Sequence, residues 1–152
     1  MSKLPLDGIR VVEMSHMVMG PTCGMILGDL GADVIKIEPI KGDGTRRLLG
    51  AGAGFFRTFN RNKQSMAVDV ESEAGREAVL KLLDRADVFI ENFKPGRMDS
   101  LGFVYGMEET YNLGAVYQHQ GERHHVVLLL FQRKRCASGA GERRLPSMLQ
   151  LR

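Results

Sequence analysis

A chain of 152 residues, 43% hydrophobic and 26% charged, has the apolar content for one packed core and is neither a disordered nor a fibrous sequence. Its longest apolar run, residues 126–131, falls far short of the ~20 residues of a membrane-spanning helix, and the N-terminus shows no basic-then-apolar signal pattern, so a cytoplasmic protein with no membrane partner is expected. The net charge of +3 is carried by the far end, where residues 119–152 hold seven Lys/Arg against two Asp/Glu while the first 118 hold fourteen against sixteen, which removes the basic balance as an argument for nucleic acid.

Residues 9–14 (IRVVEM) are short, apolar and β-branched, and they read as a buried strand. Pro21 stands where a helix tolerates proline at its first position, and Met25, Ile26, Leu27 and Leu30 carry that helix over 22–30 to a stop at Gly31. Residues 33–38 (DVIKIE) predict a second strand ended by Pro39, and the glycine-rich stretch to Gly54 reads as a long loop. Residues 65–70 alternate apolar and polar and predict a third strand. Ser72 then caps a helix over 73–83 whose stripe is Ala74, Ala78, Val79, Leu82 and Ala86. Residues 87–91 (DVFIE) repeat the strand signature, and 92–96 turn into a brief helix around 98–101.

This order predicts an α/β fold, a Rossmann-like parallel sheet with flanking helices. Ligands of such sheets sit at the carboxyl ends of the strands, which here means 15–19, 39–44, 69–71 and 92–96. The pattern occupies residues 1–105. Residues 106–152 read instead as a divergent basic tail with no sustained helix or strand period. Two origins fit it, a shifted reading frame or misjoined gene and a partly disordered C-terminal extension.

A dinucleotide-binding fold places G-x-G-x-x-G directly after its first strand, but that turn reads SHMVMGP over residues 15–21. Gly42-x-Gly44 and Gly50-x-Gly52-x-Gly54 follow no strand directly and read as connections rather than phosphate loops. No P-loop, nucleophile elbow or paired zinc-ligand pattern occurs; Cys23 and Cys136 read as reduced thiols, and no metal site is expected. His16, just past a strand end, is either a ligand-bonding group or a structural histidine. Lys94, beside Pro95 and Gly96, is either a point charge for a phosphate or an ordinary surface lysine. His119, His124 and His125 lie in the tail and are not read as metal ligands.

Two blocks, LPLDGIRVVEMSHMVMGPTCGMILGDLGADVIKIEPIKGDGTR and FNRNKQSMAVDVESEAGREAVLKLLDRADVFIENFKPGRMDSLG, closely resemble the start of family III CoA-transferases, over about residues 4–102. That family includes formyl-CoA:oxalate CoA-transferases, carnitine CoA-transferases and α-methylacyl-CoA racemases. The resemblance implies the N-terminal part of a large Rossmann-like domain, an interlocked homodimer, coenzyme A or acyl-CoA as substrate rather than as a permanent cofactor, and a small carboxylic acid as acceptor. It implies an aspartate that attacks the acyl-CoA thioester and passes CoA on through an aspartyl intermediate.

Carried over by position, the resemblance assigns CoA binding to His16, Val18 and Met19, to Val68, Asp69, Val70 and Glu71, and to Asn92, Phe93 and Lys94. Val18 and Met19 replace the glutamine and alanine of the formyl-CoA enzymes, and Pro39 replaces an arginine. The Asn-Pro-x-Leu-Ile-Tyr strand, the Ser-Gly-Phe-Gly loop and the nucleophilic aspartate that should follow are not recognisable after Val104, so no catalytic residue is assigned. An inactive chain is expected. The alternatives are a non-catalytic CoA- or nucleotide-binding fragment, an interaction partner of a full-length relative, and a relative of the racemases.

Overall fold

The computed structural model describes residues 3–94 and 96–103, and the backbone of Leu113–Val116 and Leu128–Gln132. Strand β1 (Arg10–Met14) leads through helix α1 (Met19–Asp29) to β2 (Asp33–Glu38). Two 3-10 turns (Gly44–Arg47 and Gly50–Gly52) and the short helix α2 (Phe55–Phe59) lead to β3 (Lys63–Ala67). Helix α3 (Glu73–Leu83), β4 (Val88–Glu91) and α4 (Arg97–Ser100) follow, and the backbone then contributes β5 (Leu113–Val116) and β6 (Leu128–Gln132).

The bounds of β2 and α3 match the sequence reading. Ser72 Oγ accepts the Gly75 N–H at 3.0 Å, the side-chain cap expected there. Helix α1 ends in a Schellman motif: Ala32 N–H donates to Leu27 O, Gly31 N–H donates to Gly28 O, and Gly31 takes φ +102, a conformation glycine enters without a Cβ penalty. Its start differs from expectation. The helix begins at Met19, which makes Pro21 its third residue, still within the first turn where backbone N–H groups lack intrahelical partners. The third strand starts two residues and ends three residues earlier than 65–70, because pairing with β2 sets its register (Ile35 opposite Gln64, Glu38 opposite Ala67). The glycine-rich loop after Pro39 contains the two 3-10 turns.

The sheet order is β3-β2-β1-β4-β6-β5, with β1 to β4 mutually parallel and β6 antiparallel to β4. One face carries Val12, Met14, Ile37 and Phe89 against Val79 and Leu83 of α3 and against Met98, Leu101 and Phe103. The other carries Val11, Val34, Val88 and Ile90 against Ala32 and the α1 residues Cys23 and Leu27. Each fully buried Val or Ile in these layers contributes ~1.5–3 kcal/mol. Strand β6 overlaps the apolar run at 126–131, to which the sequence reading assigned no element, and covers the edge that β4 would otherwise expose. The rest of the tail lies outside the described residues.

The chain winds from β1 outward to β2 and β3 on one side, then returns through α3 to place β4 on the other side of β1. That reversal makes the junction between the carboxyl ends of β1 and β4 the switch point of the sheet, the position where α/β sheets bind ligands.

Candidate functional site

Because β1 to β4 are parallel, the turns after all four open on the same edge of the sheet. At the β1/β4 switch point the structure joins three of the sequence-assigned residues. The His16 ring stacks on Phe93 with centroids 5.5 Å apart and planes 23° from parallel. His16 N–H donates to Asn92 Oδ1 at 3.0 Å, and Asn92 Nδ2 donates to the His16 carbonyl at 2.9 Å. Phe93 also packs against the core under α3, so the stack has an anchored side. The next residue, Met17, takes φ 63, and the turn exposes Met17 and Met19 while Val18 is half-buried. Lys94 is exposed, and among the described residues neither its ammonium nor the His16 imidazole has a hydrogen-bond partner. A ligand entering here meets a flat aromatic surface, a thioether pair and an unpaired cation.

The four residues after β3 are placed differently. Val68 N–H donates to Glu38 O at 2.9 Å, extending the pairing past the strand, and the Val68 and Val70 side chains pack against the core. Asp69 Oδ1 accepts the Glu71 N–H at 3.0 Å, and the Asp69 carbonyl accepts the Ser72 hydroxyl at 2.7 Å, so this turn shapes the start of α3. A Cβ on Gly75 would overlap the Asp69 carbonyl, which requires glycine there. Glu71 reaches across to the β4 side, where Arg97 of α4 pairs with it at 2.8 Å, both side chains being exposed. Asp69 and Glu71 remain accessible, while the two valines do structural work as well.

Sequence reasoning missed a buried ionic network beside these turns. Glu13, fully buried, bonds Lys36 Nζ at 3.1 Å and Lys63 Nζ at 2.7 Å. Lys36, 1% exposed, also pairs with Asp43 at 3.2 Å and donates to the Ser15 carbonyl at 2.6 Å. Lys63 donates further to Pro21 O at 2.7 Å and Asn60 Oδ1 at 3.1 Å. Two lysines sharing one carboxylate in an apolar interior are tolerable only because each ammonium finds two further oxygens. The signal was present: Lys36 and Glu13 are the charges inside two otherwise apolar strands, and the parallel register sets them opposite one another. Helix α1 comes close enough to cover them because Gly24 has no side chain; a Cβ there would overlap Glu13 Oε2.

The surrounding charges respond to this packing. Burial acts to raise the Glu38 carboxyl, but hydrogen bonds from Arg46, the Asp43 N–H and the Ser65 hydroxyl outweigh it and hold the group at about 2. Arg46 itself lies 3.7 Å above the Phe56 ring. Burial likewise opposes ionisation of Asp43, and the Thr45 N–H and hydroxyl with Lys36 bring it below the usual range. Burial, partly offset by Glu13, lowers Lys63. Burial and the nearby Glu13 push the Cys23 thiol up to about 11, which leaves it protonated and unreactive. Glu91, at the end of β4, is raised by burial and opposed only by the Phe93 N–H, which donates to Oε2 at 2.8 Å. Among the described residues no group of three or more His, Cys, Asp or Glu could hold a metal ion, and no helix is long and apolar enough to cross a membrane.

Residues 6–119 match the family described as CoA-transferase family III. The chain is 39% identical over 121 residues to the formyl-CoA:oxalate CoA-transferase of Streptomyces coelicolor, an alignment covering 77% of this chain and 30% of that one. It is 37% identical over 123 residues to the succinyl-CoA:mesaconate CoA-transferase of Haloarcula hispanica, covering 74% and 30%. Among solved structures, a hypothetical protein of Mycobacterium tuberculosis superposes with a TM-score of 0.66 at 40% identity over 70% of this chain and 31% of that one. A CAIB/BAIF family protein of Brucella suis gives 0.65 at 43% identity, over 72% and 31%. The chain thus spans less than a third of the length of these relatives.

Proposed function

The chain belongs to CoA-transferase family III, and on that premise we propose that it supplies acyl-CoA-binding turns of an enzyme that moves CoA from an acyl-CoA to a small carboxylic acid. The observation that carries this reading is the His16–Phe93 stack at the β1/β4 switch point, next to Lys94, which has no side-chain partner among the described residues. CoA offers what such a site can hold: an anionic nucleotide for Lys94 and a long, weakly polar pantetheine arm for the stack and for Val18 and Met19. Asp69 and Glu71, with Val68 and Val70 behind them, face the adenine and ribose.

In the reaction proposed for the whole enzyme, an aspartate carboxylate attacks the thioester carbonyl, the C–S bond breaks and CoA leaves as thiolate. The thiolate then attacks the resulting mixed anhydride at the aspartyl carbonyl and releases the first carboxylate. The acceptor carboxylate next attacks the aspartyl-CoA thioester, which expels CoA thiolate and leaves a second mixed anhydride; the thiolate then attacks the acceptor's acyl carbonyl and releases the aspartate. Each step exchanges one activated acyl group for another, so no metal or permanently bound cofactor is called for. The matched residues contain no side chain assignable to the nucleophile, so the 152-residue chain binds acyl-CoA without turning it over. We place the enzyme in the cytoplasm as an interlocked homodimer, with neither nucleic acid nor a membrane as partner.

Calorimetric titration of the chain with CoA, followed by a thioester-exchange assay with an acyl-CoA and a carboxylic acid, tests this. Saturable binding competed by acyl-CoA, weakened about tenfold by Lys94→Ala through loss of a phosphate contact, is the expected result. Absence of CoA binding would overturn the reading of the site. Turnover by the chain alone would overturn the assignment of the nucleophile to residues beyond the match.

A further inference from the structure

The β1 turn that presents His16 is held from both flanks by side chains rather than left to its own backbone. From the β4 side, Asn92 spends both its acceptor and its donor on the N–H and C=O of one residue, His16. From the β2 side, buried Lys36 donates to the Ser15 carbonyl at 2.6 Å. Three backbone groups on two successive residues are thus fixed just before Met17 enters its left-handed φ of 63, a conformation a non-glycine residue disfavours without outside support. The planar Asn92 amide presents its donor and its acceptor side by side, which matches the N–H and C=O of a single residue.

We propose that Asn92 is a positioning residue for acyl-CoA binding, which acts through the His16 backbone and holds the imidazole against Phe93 before the ligand arrives. The inference rests on the CoA-binding reading of this edge and adds to it a role for Asn92 that is not ligand contact. Its physical basis is preorganisation: ordering a turn in advance removes that ordering cost from the binding step.

The test measures two things on the 152-residue chain, amide hydrogen exchange at His16 by NMR and CoA affinity by calorimetry, for the wild type, Asn92→Ala and Asn92→Asp. Asn92 is only half-buried, so the variants should stay folded, with a thermal midpoint lowered modestly by the lost hydrogen bonds. In Asn92→Ala the His16 amide should exchange roughly tenfold faster and CoA should bind about tenfold more weakly, which is equivalent to about 1.4 kcal/mol. Asn92→Asp keeps the acceptor for the His16 N–H but turns an acceptor oxygen on the His16 carbonyl, so its exchange should fall between the wild type and Asn92→Ala. Unchanged exchange in Asn92→Ala overturns the clamp, and faster exchange with unchanged CoA affinity overturns its positioning role. A wild-type chain that binds no CoA overturns the function proposed above and the ligand role of Asn92 with it, while the exchange rate still tells a held turn from a loose one.

Discussion

At the β1–β2 side of the ligand edge, Glu13, Lys36, Asp43 and Lys63 are buried together with every charge answered, whereas at the β4 side the buried Glu91 has a backbone N–H and no cation among the described residues. Both regions end strands of one parallel sheet, and both fix turns that we assign to the same ligand. They do it by opposite means. The first uses ionic bonds that lose strength only if a partner is removed. The second uses the neutral Asn92 amide and a stacked ring pair. A network whose charges already answer one another has none to spare for a ligand. On the less charged side, the exposed Lys94 has no side-chain partner among the described residues.

The largest expected effect comes from breaking the ionic side. Lys36→Met removes the cation shared by Glu13, Asp43 and the Ser15 carbonyl, and urea denaturation should show a loss of about 3–5 kcal/mol. Gly24→Ala presses a methyl group onto Glu13, and because the network holds that carboxylate in place the loss should be about 1–3 kcal/mol by the same measurement.

Acid titration sharpens the contrast further. The Glu38 carboxyl sits at about 2 in the folded chain against an ordinary 4.5. Its contribution is therefore present above pH 4.5 and is lost as the pH falls through that window toward 2. Screening at the half-exposed Arg46 reduces it to about 2 kcal/mol. Glu38→Gln should remove that part of the acid dependence.

The smallest effect, of opposite sign, belongs to Glu91. Its carboxyl is raised, so the stability it contributes at low pH is lost as the pH rises through the folded value. Glu91→Gln keeps an acceptor for the Phe93 N–H and should raise stability at pH 7 by less than about 1 kcal/mol. A destabilised Glu91→Gln would show that the two sides do not differ as described.

How much of this was legible in the sequence follows the reach of each cause. Pro39 and the Ser72 cap act within a few residues, so β2 and α3 could be bounded from the chain alone. Strand β3 could not, since KQSMA is half-exposed and polar and its register is set by β2. Helix α1 begins with no side-chain cap at Val18, so nothing local marked its start at Met19. The turns after β1 and β4 were legible in the sequence, and the structure brings His16, Asn92 and Phe93 of those turns together. Lys36 and Glu13 were visible only as unexplained charges in apolar strands, because their meaning depends on Asp43 and on Lys63, fifty residues from Glu13.

The residue order by itself determined the α/β alternation and the turns at the strand ends, which follow from short-range patterns of apolar spacing, caps and breakers, and the family, which follows from its motif blocks. The tertiary structure alone decided that β4 lies next to β1, that Asn92 closes on His16 across 76 residues, and that Glu13 is shared between two buried lysines. Those outcomes depend on distances between groups remote in the chain. They exist only once the crossover has brought the strands side by side and the interior has excluded the water that would otherwise have solvated the charges.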